Sequence, residues 1–365
     1  MSATDDLRPG AQRARNPRAR DEYVPYDLPH PHRYPYELDL ADVVGRSRLD
    51  AAVAGGSYSC YLLGDVGGIV DPAPQRAVAR AMCALAPGAR RYDAERRPLG
   101  DTLFAYIAGD VVYNNGEPAH YAEQFYAPYR DYDRPILAIP GNHDGGLDPA
   151  AGDYPSLAGF VANFCAPGRA IPGTTTYGRA PAGQPNVYWT LEAPWLRIVG
   201  LYTNVPEGGV VDDEQRHWFH AQLAGPRGDK HLVVALHQPV FSCDTVHGGS
   251  PDMFDLVHES ARRAGCRLVM SGHAHNYQRF AYDGVTYVVN GAGGYHGLHD
   301  LVPPAGPGAL YPLVAHTRDH SFMHLTVTPR ALTARIVAVP LPVDVTGRPL
   351  VVDEFAVAVT EGVRV

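Results

Sequence analysis

Between residues 57 and 340 the hydrophobic positions fall in short unbroken blocks separated by stretches rich in Gly, Pro and Asp. Continuous apolar runs of this length suit strands buried on both faces, whereas half-exposed strands alternate. YSCYLLGD (58–65), TLFAYIAGD (102–110) and RPILAIPGN (134–142) read as three such strands. APQRAVARAMCAL (73–85) differs, because Ala77, Val78, Ala81, Met82 and Leu85 recur near the 3.6-residue helical period. A second helix is predicted over roughly Pro118 to Tyr126. Strand, helix, strand, helix, strand is the signature of βαβ units around a buried sheet.

The pattern continues beyond a Gly-, Pro- and Ala-rich stretch (145–186) that predicts loop with short helices. NVYWTLE (186–192) and LRIVGLYT (196–203) read as adjacent strands. DDEQRHWFHAQL (212–223) opens on acidic residues that suit a helix N-terminus and sets Trp218, Phe219 and Leu223 on one face. His217 and His220 there read as surface histidines. HLVVALH (231–237) and CRLVMSGH (266–273) are strands flanking a helix over 252–265. YQRF, VTYVVNG, SFMHLTVTP and LTARIVAV, between 277 and 339, are strands again. This predicts an α/β domain over 57–345 and a C-terminal extension, 346–365, packing on it. Residues 1–56, rich in Pro, Tyr and Arg, predict a mobile or extended leader, with YVPYDLPHPHRYPYELDL (23–40) as an extended wrap.

Composition narrows the function. The chain has 365 residues, 45% apolar and 19% charged, with a formal charge of −8. No basic stripe marks a nucleic-acid partner, and the one basic cluster, RARNPRAR (13–20), reads as a solvated tail. Cys60, Cys83, Cys165, Cys243 and Cys266 are scattered and odd in number, which predicts buried thiols rather than a disulfide scaffold. The opening MSATDDLRPG has no apolar signal core, and no apolar run reaches membrane-spanning length. No membrane association is expected, and a cytoplasmic location is favoured, with export by another route left open.

Five predicted strands end in groups suited to metals: Asp65 in LLGDVGG, Asp110 and Tyr113 in IAGDVVY, Asn142 and His143 in IPGNHD, His237 in VVALHQP, and His273 and His275 in VMSGHAHN. Singly, each has an ordinary reading, since an Asp after Gly is usually a turn residue and a lone histidine a satisfied core group. Sites in open α/β sheets form beyond the carboxyl ends of the strands, so together these groups can converge. Two carboxylates, a tyrosinate, an amide oxygen and three imidazoles are too many ligands for one ion. They suit two ions sharing a carboxylate, and mixed carboxylate–imidazole sets favour Fe, Zn or Mn. Such ions sit about 3.5–4 Å apart, clamp a phosphate and activate water.

These motifs resemble the calcineurin-like metallophosphoesterases, and more narrowly the purple acid phosphatases. GDVG (64–67), GDVVY (109–113), GNHD (141–144), VALH (234–237) and GHAH (272–275) match that family's five motifs in order. Gly67 stands where the wider superfamily has a ligating histidine, and Tyr113 restores the missing ligand. The resemblance implies a four-layer αββα metallophosphoesterase sandwich as a single catalytic domain. It implies that Asp65, Tyr113 and His275 bind ferric iron and that Asp110 bridges. Asn142, His237 and His273 then bind a divalent Fe, Zn or Mn, and His143 faces the substrate phosphate as the catalytic group. Asp144, His247 and His296 are open as supporting or substrate-facing residues. The implied activity is that of an acid phosphatase, a hydrolase of small phosphate monoesters. A phosphodiesterase of nucleotide or lipid diesters and a non-catalytic, metal-stabilised interaction protein are the alternatives.

Overall fold

Unbroken apolar blocks bury both faces of a strand, so they need material above and below the sheet. The computed structural model describes residues 23–85, 102–147, 154–166, 182–302, 313–339, 341 and 350–358. The basic cluster at 13–20 lies outside them. In chain order the first strands are β1 (Glu37–Asp39), β2 (Tyr58–Leu63), β3 (Thr102–Ala108), β4 (Ile136–Ile139), β5 (Trp189–Ala193), β6 (Leu196–Gly200) and β7 (His231–Ala235). They are followed by β8 (Leu268–Ser271), β9 (Tyr277–Tyr282), β10 (Val285–Asn290), β11 (Leu313–Thr317), β12 (His320–Val327), β13 (Ala331–Val339) and β14 (Leu350–Ala358).

Two sheets result, ordered β1-β5-β6-β7-β8-β10-β9-β11 and β14-β13-β12-β2-β3-β4. Flanked by helices, they form a four-layer αββα sandwich. At one end of the smaller sheet β2, β3 and the edge strand β4 run parallel, and at the centre of the larger β6, β7 and β8 do. Parallel neighbours bring their carboxyl ends to the same edge. Trp189 of β5 reaches across the sandwich: its indole N–H donates to the Ala138 carbonyl of β4 at 3.0 Å, and its ring lies 5.8 Å from that of Tyr106 on β3.

The helix Ala73–Leu85 buries Ala77, Val78, Ala81 and Met82, and leaves Arg76 and Arg80 to solvent. The helix Asp213–Ala224 is capped by Asp212, whose carboxylate accepts from the Gln215 N–H at 2.8 Å. It buries Trp218, Phe219 and Leu223, and exposes His217 and His220. Over the predicted helix 118–126 the chain instead makes a 3₁₀ turn, Pro118–His120, and a π-helical turn, Ala122–Tyr126.

The predicted extended wrap gives way to a strand and two helices. β1 pairs parallel with β5, followed by Leu40–Val44, capped by Asp39 on the Ala41 N–H, and Arg46–Ala54. Tyr36, Leu38, Leu40 and Leu49 are buried there. The proline and tyrosine density obscures this cap in the sequence. β14 pairs antiparallel with β13. Its Asp353 accepts from Arg279 Nε and Tyr277 Oη of β9, both at 2.6 Å, which ties it to the other sheet. Among the described residues no disulfide forms, and Cys60, Cys165, Cys243 and Cys266 are buried. No described helix is long and apolar enough to cross a membrane.

Candidate metal centre

The carboxyl ends of β2, β3 and β4 meet those of β7 and β8 across the sandwich, and each delivers a polar group two to four residues beyond the strand. Asp65, Asp110 and His273 have φ of 58°, 54° and 69°, the left-handed region that non-glycine residues seldom occupy. Such backbone persists where its surroundings over-determine it, and it clusters at functional sites. The glycines before these residues are steric requirements. A Cβ on Gly109, whose φ is +92°, would lie 2.4 Å from His237 Nδ1, and one on Gly272 would lie 2.5 Å from Asp65 Oδ2.

The seven predicted ligands converge as two trios around one carboxylate. In the first, Tyr113 Oη lies 3.1 Å from Asp65 Oδ1 and 3.4 Å from His275 Nε2, and that nitrogen is 3.4 Å from the same carboxylate oxygen. In the second, Asn142 Oδ1 lies 2.9 Å from His237 Nε2 and 3.1 Å from His273 Nδ1. Asp110 joins them: its Oδ2 is 3.3 Å from His237 Nε2, and donor atoms of Asp65, Asp110 and His237 all lie within 4.8 Å of one another.

The fit to cations shows in one carboxylate oxygen. Asp110 Oδ1 accepts the His143 N–H at 2.9 Å, but Oδ2 is fully buried without a hydrogen-bond partner. A buried carboxylate oxygen with an ion-pair contact to His237 but no hydrogen bond is under-satisfied, and a cation would satisfy it. Electrostatics agree. Burial opposes charge on Asp110, yet His237 and His143 hold its carboxyl far below the ordinary range. Burial lowers His237, and Asp110 overcomes that to push it up to about 10. The pocket therefore collects positive charge. Burial and the charges of Asp110 and Asp65 raise the Tyr113 phenol far above its ordinary value, so a tyrosinate there needs a strong cation beside it.

The remaining imidazole nitrogens fix the tautomers. His237 Nδ1 donates to the Ala108 carbonyl and His275 Nδ1 to the Gly297 carbonyl, both at 2.8 Å. With a proton fixed on Nδ1, each ring would offer Nε2 to a cation, which in His237 would displace the second proton that Asp110 stabilises. His143 Nδ1 lies 2.6 Å from the Asn114 carbonyl, its ring lies 4.4 Å from that of Tyr113, and Nε2 is left open.

Asp144 is buried and fastens two ligand loops. Its carboxylate accepts from the N–H groups of Val111 and Val112, each at 3.1 Å, and from Gly141 at 2.9 Å. Burial and the nearby Asp110 raise its carboxyl to about 7 despite those donors. His247 is largely buried beside the second trio, its ring 4.1 Å from that of His273. His296 packs on Tyr295 at 4.6 Å, its buried Nδ1 unpartnered.

Several participants escape sequence reasoning. Glu207 Oε1 lies 2.5 Å from His247 Nδ1 and 3.3 Å from His273 Nε2. Burial raises its carboxyl, and the two histidines outweigh that and hold it far below the usual range. Tyr295 stacks on Tyr113 at 4.3 Å. His299 stacks on His275 at 4.3 Å and pairs with Asp244 at 3.2 Å. Gln124 clamps the Tyr113 backbone, accepting its N–H at 2.9 Å and donating to its carbonyl at 2.6 Å. The extra histidine in YHGLHD was a usable signal for His299; Glu207, in a Pro/Gly turn, offered none.

Comparison with known proteins agrees with this geometry. A family profile described as calcineurin-like phosphoesterase matches residues 61–277. Purple acid phosphatase 21 of Arabidopsis thaliana is 27% identical over 150 residues, 40% of this chain and 31% of that protein. The match thus spans about a third of that relative's length. Among solved structures, purple acid phosphatase PPD1 from yellow lupin (Lupinus luteus) seeds superposes with a TM-score of 0.59 at 17% identity, covering 83% of this chain and 54% of that one. GAP50, described as the anchor in the inner membrane complex of Plasmodium, gives 0.56 at 13% identity, covering 84% and 90%. At these identities the likeness is one of fold.

Proposed function

The chain belongs to the calcineurin-like phosphoesterase family, and from that membership we propose that it hydrolyses phosphate monoesters at an Fe(III)–M(II) centre of the purple acid phosphatase kind. The observation that carries the reading is the placement of Tyr113 Oη against Asp65 and His275, with the under-satisfied Asp110 Oδ2 facing the second trio. A phenolate is a hard anionic donor, which suits a trivalent ion. Asp65, Tyr113 and His275 would hold that ion, Asn142, His237 and His273 would hold a divalent Fe, Zn or Mn, and Asp110 would serve both. When bound, the pair supplies Lewis acidity to the phosphate and lowers the pKa of a coordinated water.

The chain's own groups do the rest. Ester cleavage leaves an alkoxide or phenoxide that must take a proton. His143 is built to supply it, because the Asn114 carbonyl holds one proton on Nδ1 and leaves Nε2 at the mouth to deliver another. Its backbone N–H to Asp110 fixes the ring's root beside the shared carboxylate. Asp144 holds the two loops in register, so that Asp110, Tyr113, Asn142 and His143 keep their relative positions. Fold alone would not carry this reading, because an anchor protein shares it; the seven convergent donors do.

The test is to load the protein with iron and zinc, count metal per chain, and measure 4-nitrophenyl phosphate and bis(4-nitrophenyl) phosphate hydrolysis in parallel. Two metals and a higher kcat/KM on the monoester are expected. A higher value on the diester would make it a phosphodiesterase, and no turnover of either at full loading would leave a metal-stabilised binding protein.

A further inference from the structure

We infer that Glu207 is a positioning residue that holds His273, a ligand of the second trio, and the adjoining His247 in one fixed arrangement. The inference rests on the dinuclear reading above and adds a residue that none of the five motifs contains.

The three ligand histidines differ in orientation. His237 and His275 each turn Nδ1 to a backbone carbonyl at 2.8 Å and present Nε2 to the site. His273 is reversed: Nδ1 faces the site, 3.1 Å from Asn142 Oδ1, and Nε2 points out to Glu207 Oε1 at 3.3 Å. A ligating nitrogen must present its lone pair, so the ring proton belongs on Nε2, where a carboxylate receives it. A carboxylate behind a ligating histidine fixes its tautomer and ring angle and raises its basicity. His237 and His275 have neutral carbonyls in that role, and His273 alone of the three has an anion.

The same carboxylate oxygen lies 2.5 Å from His247 Nδ1. Asp244 Oδ1 also accepts the His247 backbone N–H at 2.8 Å, so His247 is held at its backbone and at its ring. The Glu207 turn is itself fixed. Gln238, next to His237, donates to the Pro206 carbonyl at 3.2 Å. The Val210 N–H closes the loop onto Thr203 at 2.7 Å, and Ser250 donates to the Gly208 carbonyl. A carboxylate on so braced a turn can transmit position, which one on a loose loop cannot.

The test uses the full chain carrying one equivalent of iron, titrated with zinc chloride by calorimetry. Glu207→Ala should weaken zinc binding about 10- to 100-fold, the range typical of a lost partner behind a metal ligand. Glu207→Gln keeps an oxygen acceptor for the His273 Nε2 proton but loses the charge, and should recover only part of that loss, whereas a purely structural role would be fully rescued. His247→Ala should leave zinc affinity unchanged while lowering kcat/KM. The Glu207→Ala/His247→Ala double variant should lower kcat/KM by less than the product of the single effects, because the two residues share one bond. Equal zinc affinity in Glu207→Ala and the parent, with two metals bound, would overturn the role of Glu207 and leave the dinuclear reading intact. A third equivalent of zinc that Glu207→Ala abolishes would also overturn it, because Glu207 would then be a ligand. A parent that binds a single metal would sink the dinuclear reading and this inference together. Glu207→Gln also guards against misfolding: if both variants melt far below the parent and neither binds zinc, the turn is a folding element and the positioning role is refuted.

Discussion

Replacing Asp144 by Ala should cost the fold about as much as it costs the chemistry. Three backbone N–H groups, on Val111, Val112 and Gly141, end on this one carboxylate at 2.9–3.1 Å. Each buried N–H left without its acceptor costs about 1–3 kcal/mol whatever the charge on Asp144, so orphaning three gives roughly 3–9 kcal/mol before relaxation. Water admitted to the vacated space recovers part of this, leaving about 3–5 kcal/mol. That is a large share of the ~5–15 kcal/mol that typical domains possess. Asp144→Asn keeps one oxygen acceptor but turns an amide N–H₂ toward a donor, and should cost about 1–3 kcal/mol. The assay is urea unfolding in excess chelator, so that bound metal does not add its own stabilisation. Metal content measured separately should fall in step, because the loops carrying Asp110, Tyr113, Asn142 and His143 lose their common tether. A loss within about 1 kcal/mol for the Ala variant, at unchanged m-value, would refute the claim that this carboxylate fastens the two loops.

Three further outcomes are expected. Tyr113→Phe should abolish visible absorption of the iron-loaded protein and leave the far-ultraviolet dichroism intact; a surviving band would remove Tyr113 from the ligand set. His143→Ala should keep two metals per chain while kcat falls about 10²–10⁴-fold, the usual worth of a positioned proton donor, and an unchanged kcat would remove it from catalysis. Asp353→Asn tests the cross-sheet pair. Burial raises the Asp353 carboxyl, but Arg279 and Tyr277 outweigh that and lower it. A depressed folded pKa adds stability that is present above the unfolded value of about 3.9 and is lost as pH falls through the folded one. The pair is part-exposed and screened by solvent, so the variant should be about 0.5–1.5 kcal/mol less stable than the parent at pH 7, a gap that narrows below about pH 4. Constancy of that gap from pH 7 to pH 2 would contradict the linkage.

What the sequence disclosed follows from what each residue had to satisfy. Asp65, Asp110, Asn142 and His273 stand behind a glycine at the end of an apolar block, because a tight turn out of a buried strand leaves no room for a Cβ. That pairing of steric need with donor chemistry is legible without coordinates. The reversed ring of His273 was not legible, since tautomer and orientation are set by Glu207, 66 residues away. His247 and His296 look alike in sequence, each in a glycine-rich loop. Tertiary packing separates them, placing one against His273 and the other against Tyr295. The helices over 40–54 were hidden because Arg46–Ala54 has only two buried side chains, Leu49 and Ala52, and little amphipathic pattern. The short edge strands β1 and β11 carry too few inward residues to stand out from loop.

Each trio draws on both halves of the sandwich: Asp65 and Tyr113 follow strands of the smaller sheet while His275 follows one of the larger, and Asn142 stands opposite His237 and His273. Cations seated there would act as rivets through two plates. Because each trio needs both plates, a small slide of one past the other would part the ligands long before the fold unravelled. Metal binding by these trios would thus be a gauge of interlayer alignment, and chelation should loosen the seam between the plates first.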